Sequence, residues 1–443
     1  MSCSRLAPCL VTLCLAFFTL LANPWVRAAG SADPEKTTGQ AGEGSVNSTE
    51  LAAVVPAPTA SVASGATATQ PVLGPMAFDP RAQRYTASYG PGSASLTVSP
   101  RLQQGLEKLL ADYRLPMAAA VLLDPRTGRV LAMAEHVEKG PRTHVALQPI
   151  APAASVFKIV TSAALLEKGM SPDDEVCFHG GRHRIQKALL ADNPRRDRMC
   201  LTLASALGKS ANVVFAKLAG RDLSAELLRS EAQRFLFNVP IPFAWPVEPS
   251  PARFSDDPFE LATTAAGFGP VRLSPLHGAL IASIVANGGR LVPPRLIDAV
   301  GGVPVAPGGE GQRVIRPEVA AALARMMETT TTEGTARKIF RRDRASRRSA
   351  LREVTVAGKT GSLAEASPYR DYSWFVGFAP VDDPQVAVAV MVLNERLWRV
   401  KAPFVAHEAL KAYFEAAPSL VVGGRAPGLQ GEGVRVARTA ASR

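Results

Sequence analysis

Apolar positions first occur as an unbroken run at the N-terminus. Arg5 precedes an apolar stretch over residues 6–21, closed by Pro24 and the small-residue pattern Val26-Arg27-Ala28. That order predicts a secretory signal over 1–28, with an uncleaved membrane anchor as the competing reading. From about residue 30 to 75 large apolar groups give way to Ala, Ser, Thr, Gly and Pro, the composition of a flexible tether. Residues 78–100 are intermediate and carry no assignment, so 29–95 reads as tether plus lead-in. Residues 102–110 then space their leucines for a short amphipathic helix. Two β-type runs, 118–123 and 129–133, flank Asp124-Pro125-Arg126-Thr127-Gly128 and predict a hairpin.

The next stretch, Ser155-Val156-Phe157-Lys158 and onward to Lys168, is apolar on nearly its whole circumference and stops at Gly169. A helix of that kind is a buried one. Residues 170–350 show helical patterns at 202–219, 275–286 and 317–328 and no clean strand alternation. Strand patterns return at 354–362, 372–379 and 386–393, the last two joined by Pro380-Val381-Asp382-Asp383-Pro384. A helix over about 403–415 follows, and 417–443 reads as a disordered basic tail. Two strands before the Ser155 helix and three near the end predict an α+β fold. Its antiparallel sheet of about five strands would be covered by helices, with an all-helical insert, over a domain of 96–416.

Bulk composition narrows the partners only a little. The 443 residues carry a net charge of +12, which suggests an anionic neighbour such as a membrane surface or wall polymer. No zinc-finger spacing or RNA-binding strand is present, so nucleic acid is not expected as a partner. Three of the five cysteines lie within the signal, leaving Cys177 and Cys200. In an exported chain such a pair reads as a disulfide, worth on the order of 3 kcal/mol for a loop of about 20 residues. A metal site built from Cys177, His179, His183 and Cys200 is the rival, although their spacing matches no standard zinc pattern. No metal and no cofactor are expected.

Three short motifs carry the candidate chemistry. Ser155 and Lys158, three apart, share a helix face, so the amine can reach the hydroxyl at a helix N-terminus that favours a developing anion. A nucleophile needs such a base and such an anion site, but a snorkelling Lys near a Ser cap gives the same pattern. Ser210 and Asn212 offer a second hydroxyl and an amide, and read equally as a helix cap. Lys359, Thr360, Gly361 and Ser362 place a cation and two hydroxyls on a strand interrupted by glycine, where another backbone can approach and pair. A bulged strand with an exposed Lys is the plainer alternative.

Taken together, Ser155-x-x-Lys158, Ser210-x-Asn212 and Lys359-Thr360-Gly361 resemble the ordered motifs of penicillin-binding proteins and serine β-lactamases. The likeness extends to the hairpin at 119–133, to Gly267-Phe268-Gly269 and Leu273-Ser274-Pro275, and to Glu333-Gly334-Thr335-Ala336. Ser373-Trp374-Phe375-Val376-Gly377 adds to it, so the resemblance covers about 100–415. It implies a penicillin-binding transpeptidase fold and a peptidoglycan D,D-transpeptidase. Ser155 would form an acyl-enzyme, Lys158 would take its proton, Ser210 would relay it and Asn212 would orient the substrate amide. Lys359, Thr360 and Ser362 would hold a terminal carboxylate, and the N–H groups of Ser155 and Ser362 would form the oxyanion site. Stem peptides would be substrates, β-lactams covalent inhibitors, and a glycosyltransferase a possible partner outside the cytoplasmic membrane.

The chain departs from the family pattern in places. Ala153-Ala154 stand where Pro-Gly is common, Phe268 where a polar residue is common, and Ser362 where Thr is common. The stretch before the hairpin is too short for a glycosyltransferase domain or a large N-terminal module. A D,D-carboxypeptidase or a serine β-lactamase is the first alternative, although the Glu-x-x-Leu-Asn context of class A β-lactamases is absent. A non-catalytic β-lactam sensor or wall-binding scaffold is the second. The basic run 337–348 reads either as a solvated loop or as a contact to anionic polymer.

Overall fold

The structure, a computed structural model, describes residues 72–140, 144–306, 308–345 and 349–421. The expected signal, nearly all of the tether and residues 422–443 lie outside the described residues. In chain order the main elements are β1 (Arg84–Tyr89), β2 (Gly92–Leu96), α1 (Pro100–Asp112), β3 (Met117–Leu123) and β4 (Val130–Val137). A 3₁₀ turn (Ala154–Phe157) runs into α2 (Lys158–Glu167), followed by α3 (Leu203–Gly208), α4 (Asn212–Asp222), α5 (Pro275–Ala286) and β5 (Ile297–Val300). Then come α6 (Pro317–Thr332), α7 (Arg337–Ala345), β6 (Ala357–Ala366), β7 (Tyr369–Ala379), β8 (Val386–Asn394) and α8 (Ala402–Val421).

A five-stranded sheet, wholly antiparallel and ordered β6-β7-β8-β3-β4, forms the centre. Its seam is the pairing of β8 with β3, from Ala387 opposite Leu123 to Leu393 opposite Met117. Two hairpins more than two hundred residues apart are thereby joined. Every residue of β8 is buried, as expected of a β-branched strand covered on both faces. Alternation then divides two cores. Ala387, Ala389 and Met391 join the core of α2 and α5, whereas Val388, Val390 and Val392 face α1 and α8. Helix α1 presents Leu102, Leu106 and Leu110 to that second core. Each is buried, a contribution of roughly 1.5–3 kcal/mol apiece. On the opposite face Gly278 of α5 lies so close that an added Cβ would sit 3.2 Å from Ala389 and Val376.

The expected α+β sheet of five strands is present, with four local differences. Residues that carried no assignment form a second sheet, in which Ala77–Asp79, β1, β2, β5 and Val303–Pro304 are ordered side by side. Short strands whose partner, β5, lies two hundred residues away leave no periodicity to detect. The insert is also not wholly helical, since Glu175–Phe178 and Met199–Thr202 pair as a ribbon. The continuous helix expected over 202–219 is two helices, α3 and α4, with Ser210 between them at φ 53°. At the C-terminus α8 continues to Val421, into the stretch read as tail.

Candidate active site

Sequence places Ser155 one residue after Ala154, whose φ of 47° lies in the left-handed region. For a side chain larger than glycine this costs on the order of 1–2 kcal/mol. The strain is maintained by its surroundings. Trp374 of β7 donates its indole N–H to the carbonyl of Pro152 at 2.9 Å. Gly267, at φ 90°, passes so close that a Cβ there would lie 2.3 Å from the Ala154 carbonyl oxygen. Glycine at 267 therefore lets the 266–268 backbone close over the Ser155 turn. As a result Ser155 lies on a tight 3₁₀ turn and only Lys158 opens the α-helix.

Lys158 is wholly buried. Its Nζ lies 2.8 Å from Ser155 Oγ, 2.8 Å from Asn212 Oδ1 and 2.6 Å from the Ala266 carbonyl. Burial pushes the amine well below the ordinary lysine value, and the neighbouring charge of Lys359 pushes it further down. A neutral amine has two N–H groups and one lone pair. In the neutral form the two carbonyl oxygens would accept the N–H groups, which would leave the lone pair for the Ser155 hydroxyl. The orientation of Asn212 is fixed independently, because its Nδ2 donates to the His183 carbonyl at 2.9 Å. The rings of Phe215 and Phe268 stand 5.7 and 5.8 Å from Nζ and keep the amine dry.

The second cation, Lys359, is also fully buried, and burial brings it down to about 7. Its Nζ donates to Ser210 Oγ at 3.0 Å and to the Thr360 carbonyl at 2.8 Å. The left-handed break at Ser210 is what swings that hydroxyl toward β6. Thr360 meets Thr335 hydroxyl to hydroxyl at 2.6 Å. The three motifs are thus brought into one cleft of about 320 Å³, with Ser155, Ser210 and Asn212 on one wall and Thr360, Gly361 and Ser362 on the other. Lys359 does not line it; its amine is engaged with Ser210 and not open to a carboxylate, unlike the expectation from sequence. Another hollow of about 350 Å³, lined by Lys187, Asp192, Lys217 and Arg221, contains none of the motif residues.

Cys177 and Cys200 form a disulfide across the ribbon, so neither is available to a metal. His179 instead contacts Asp197, which also receives Lys217 at 2.9 Å. Burial opposes the charge on Asp197, yet its hydrogen bonds from Asn193, His179 and Lys217 prevail and hold its carboxyl far below the usual range. This buried cluster and the disulfide pin both ends of the loop whose middle delivers the His183 carbonyl to Asn212. Among the described residues no group of three or more His, Cys, Asp or Glu could hold a metal ion. Sequence reading missed His183, Thr335 and Lys401 as cleft residues. Thr335 stood inside a recognised stretch, but His183 contributes by its backbone and Lys401 has no motif around it.

The comparisons with known proteins agree with one another. The family model described as "Penicillin binding protein transpeptidase domain" matches residues 118–412. Peptidoglycan D,D-transpeptidase PbpA of Mycobacterium tuberculosis is 29% identical over 345 residues, covering 68% of this chain and 67% of that protein. Probable peptidoglycan D,D-transpeptidase PbpC of Pseudomonas aeruginosa is 26% identical over 320 residues, covering 67% and 54%. Among solved structures, the penicillin G acyl-enzyme complex of M. tuberculosis penicillin-binding protein A aligns with a TM-score of 0.60 at 26% identity. That alignment covers 75% of this chain and 82% of the other. With a matched region spanning well over half of its length, this chain belongs to the penicillin-binding protein transpeptidase family.

Proposed function

We propose that the protein is a peptidoglycan D,D-transpeptidase acting through an acyl-enzyme on Ser155. The observation that carries this reading is the Lys158 amine: fully buried, held by that burial well below the ordinary lysine pKa, and 2.8 Å from the Ser155 hydroxyl. Ser155 Oγ bonds to the carbonyl carbon between the last two D-alanines of a stem peptide while its proton passes to Lys158. The N–H groups of Ser155, at the turn, and of Ser362, on edge strand β6, receive the developing oxyanion. Collapse breaks the C–N bond, and Ser210 passes the proton to the departing amine. Asn212 orients the substrate amide, and Thr360 and Ser362 meet the carboxylate end, with Lys359 setting the electrostatics from behind them. An acceptor amine from a second stem peptide then takes the acyl group.

Transpeptidation is favoured over drug hydrolysis by the lining of the cleft. Among the described residues no carboxylate lines it, so the cleft offers no glutamate base of the kind class A β-lactamases direct at a water. The exported location follows the same reading: residues 1–28 act as a secretion signal or anchor, 29–95 form the tether and lead-in to the catalytic domain of 96–416, and the disulfide matches an oxidising compartment. A glycosyltransferase partner would supply the glycan strands.

The test is intact mass spectrometry after exposure to penicillin G, on wild type and Ser155→Ala. A persistent adduct on Ser155, absent from the variant, is the expected result. Rapid hydrolysis without an adduct would favour a β-lactamase, and no acylation would leave a scaffold. Turnover of a D-Ala-D-Ala donor with a competing amine then distinguishes transpeptidase from carboxypeptidase and from sensor.

A further inference from the structure

The cleft contains a cation that none of the motifs includes. Lys401 immediately precedes α8 and lines the same cleft as Ser362. Its place is fixed through the backbone: the N–H of Ala402 donates to Ser373 Oγ at 3.0 Å, and Ser373 lies directly opposite Ser362 in the β6–β7 register. Lys401 is exposed, and among the described residues no carboxylate pairs with its ammonium. Every other cationic group around the hydroxyl wall is already engaged. Lys359 is fully buried on Ser210 and Thr360, and Lys158 on Ser155, Asn212 and Ala266. The cleft has no acidic side chain among the described residues. The hydroxyls of Thr360 and Ser362 are neutral donors, and an anion bound by hydroxyls alone forgoes the stronger charge-assisted bond.

We propose that Lys401 is the open cation of the carboxylate subsite, binding the free carboxylate beyond the scissile bond against Thr360 and Ser362. This rests on the acyl-enzyme reading of Ser155. The ligand class is a D-amino acid carboxylate, or the carboxylate that penicillins carry in the corresponding place. The motif lysine, Lys359, then keeps its electrostatic task behind the strand, and substrate selection passes to a residue outside the motifs.

The experiment compares second-order acylation of Ser155 by penicillin G and by its methyl ester, in wild type, Lys401→Ala and Lys401→Arg. A D-Ala-D-Ala donor peptide and its C-terminal amide form a second pair, read as kcat/KM. Lys401→Ala is expected to slow acylation by the free acid roughly tenfold, a charged hydrogen bond's worth, and to leave the ester nearly unchanged. Arginine should recover most of the loss, and the rate should become less sensitive to salt in the alanine variant. Equal slowing of acid and ester, or no slowing of either, overturns the assignment. Failure of wild type to acylate at all is a separate result, and it would overturn the reading of Ser155 itself.

Discussion

At the scale of single residues, the site contains two lysines that the native state would be more stable without. Desolvation holds Lys158 below its unfolded value, so between the two values the unfolded chain binds a proton that the native state does not. Native stability therefore falls as pH drops through that window and is restored above the ordinary lysine value. Replacing Lys158 with Met should abolish acylation and raise the melting temperature near pH 7. The gain, roughly 2–4 °C for each kcal/mol relieved, should shrink when both proteins are melted near pH 10. The charge of Lys359 supplies part of the depression, so Lys359→Met should move the acidic limb of the acylation rate to higher pH. A limb that stays in place would remove Lys359 from the electrostatics of the base. Glu231 shows the opposite sign: burial raises it to about 7. Stability should decline as pH rises from about 4.5 to 7, and Glu231→Gln should flatten that decline in denaturant titrations.

At the scale of elements, catalysis depends on breaks in helices more than on the helices. The 3₁₀ turn at Ser155 and the left-handed residue at Ser210 both interrupt patterns that read as continuous helix in the sequence. Neither position is glycine, so no local signal marked them; each is imposed by partners distant in sequence, namely Gly267 with Trp374, and Lys359. The motif residues themselves were legible because the proposed nucleophile, base and relay need particular chemistry at short spacing. The loop that supports them was not, since His183 acts through its carbonyl. Gly267→Ala should lose several kcal/mol or displace the turn, because the new Cβ would meet backbone and not a movable side chain. Chemical denaturation together with the acylation rate would detect either. Removing both cysteines should cost about 3 kcal/mol and slow acylation by loosening the hold of His183 on Asn212. An unchanged rate would show that the buried His179–Asp197–Lys217 cluster holds the loop by itself.

Across the whole molecule, the sheet was legible from its five apolar runs, and the way it closes follows from chain order. The second sheet was not, because its strands are short and its closing partner, β5, comes from the far side of the insert. Since β3 pairs with β8, half of the central sheet cannot complete its hydrogen bonds until the C-terminal strands exist. Helix α8 then covers Val388, Val390 and Phe375 on the rear face. Truncation before residue 402 should therefore yield a chain that is insoluble or binds hydrophobic dyes, while a chain ending after the helix folds. The basic helix α7 packs on the same face through Phe340, whose ring lies 5.5 Å from that of Phe375.

The ribbon bridge between Cys177 and Cys200 has a temporal consequence. A chain still in the reducing cytoplasm possesses Ser155 and Lys158 but lacks one of the two ties that steady the amide facing them. Under the export proposed above, oxidation outside the cytoplasm would add that tie, and secretion would time the maturation of the site. The proposed nucleophile, Ser155, would then reach full competence only in the compartment proposed for its substrate.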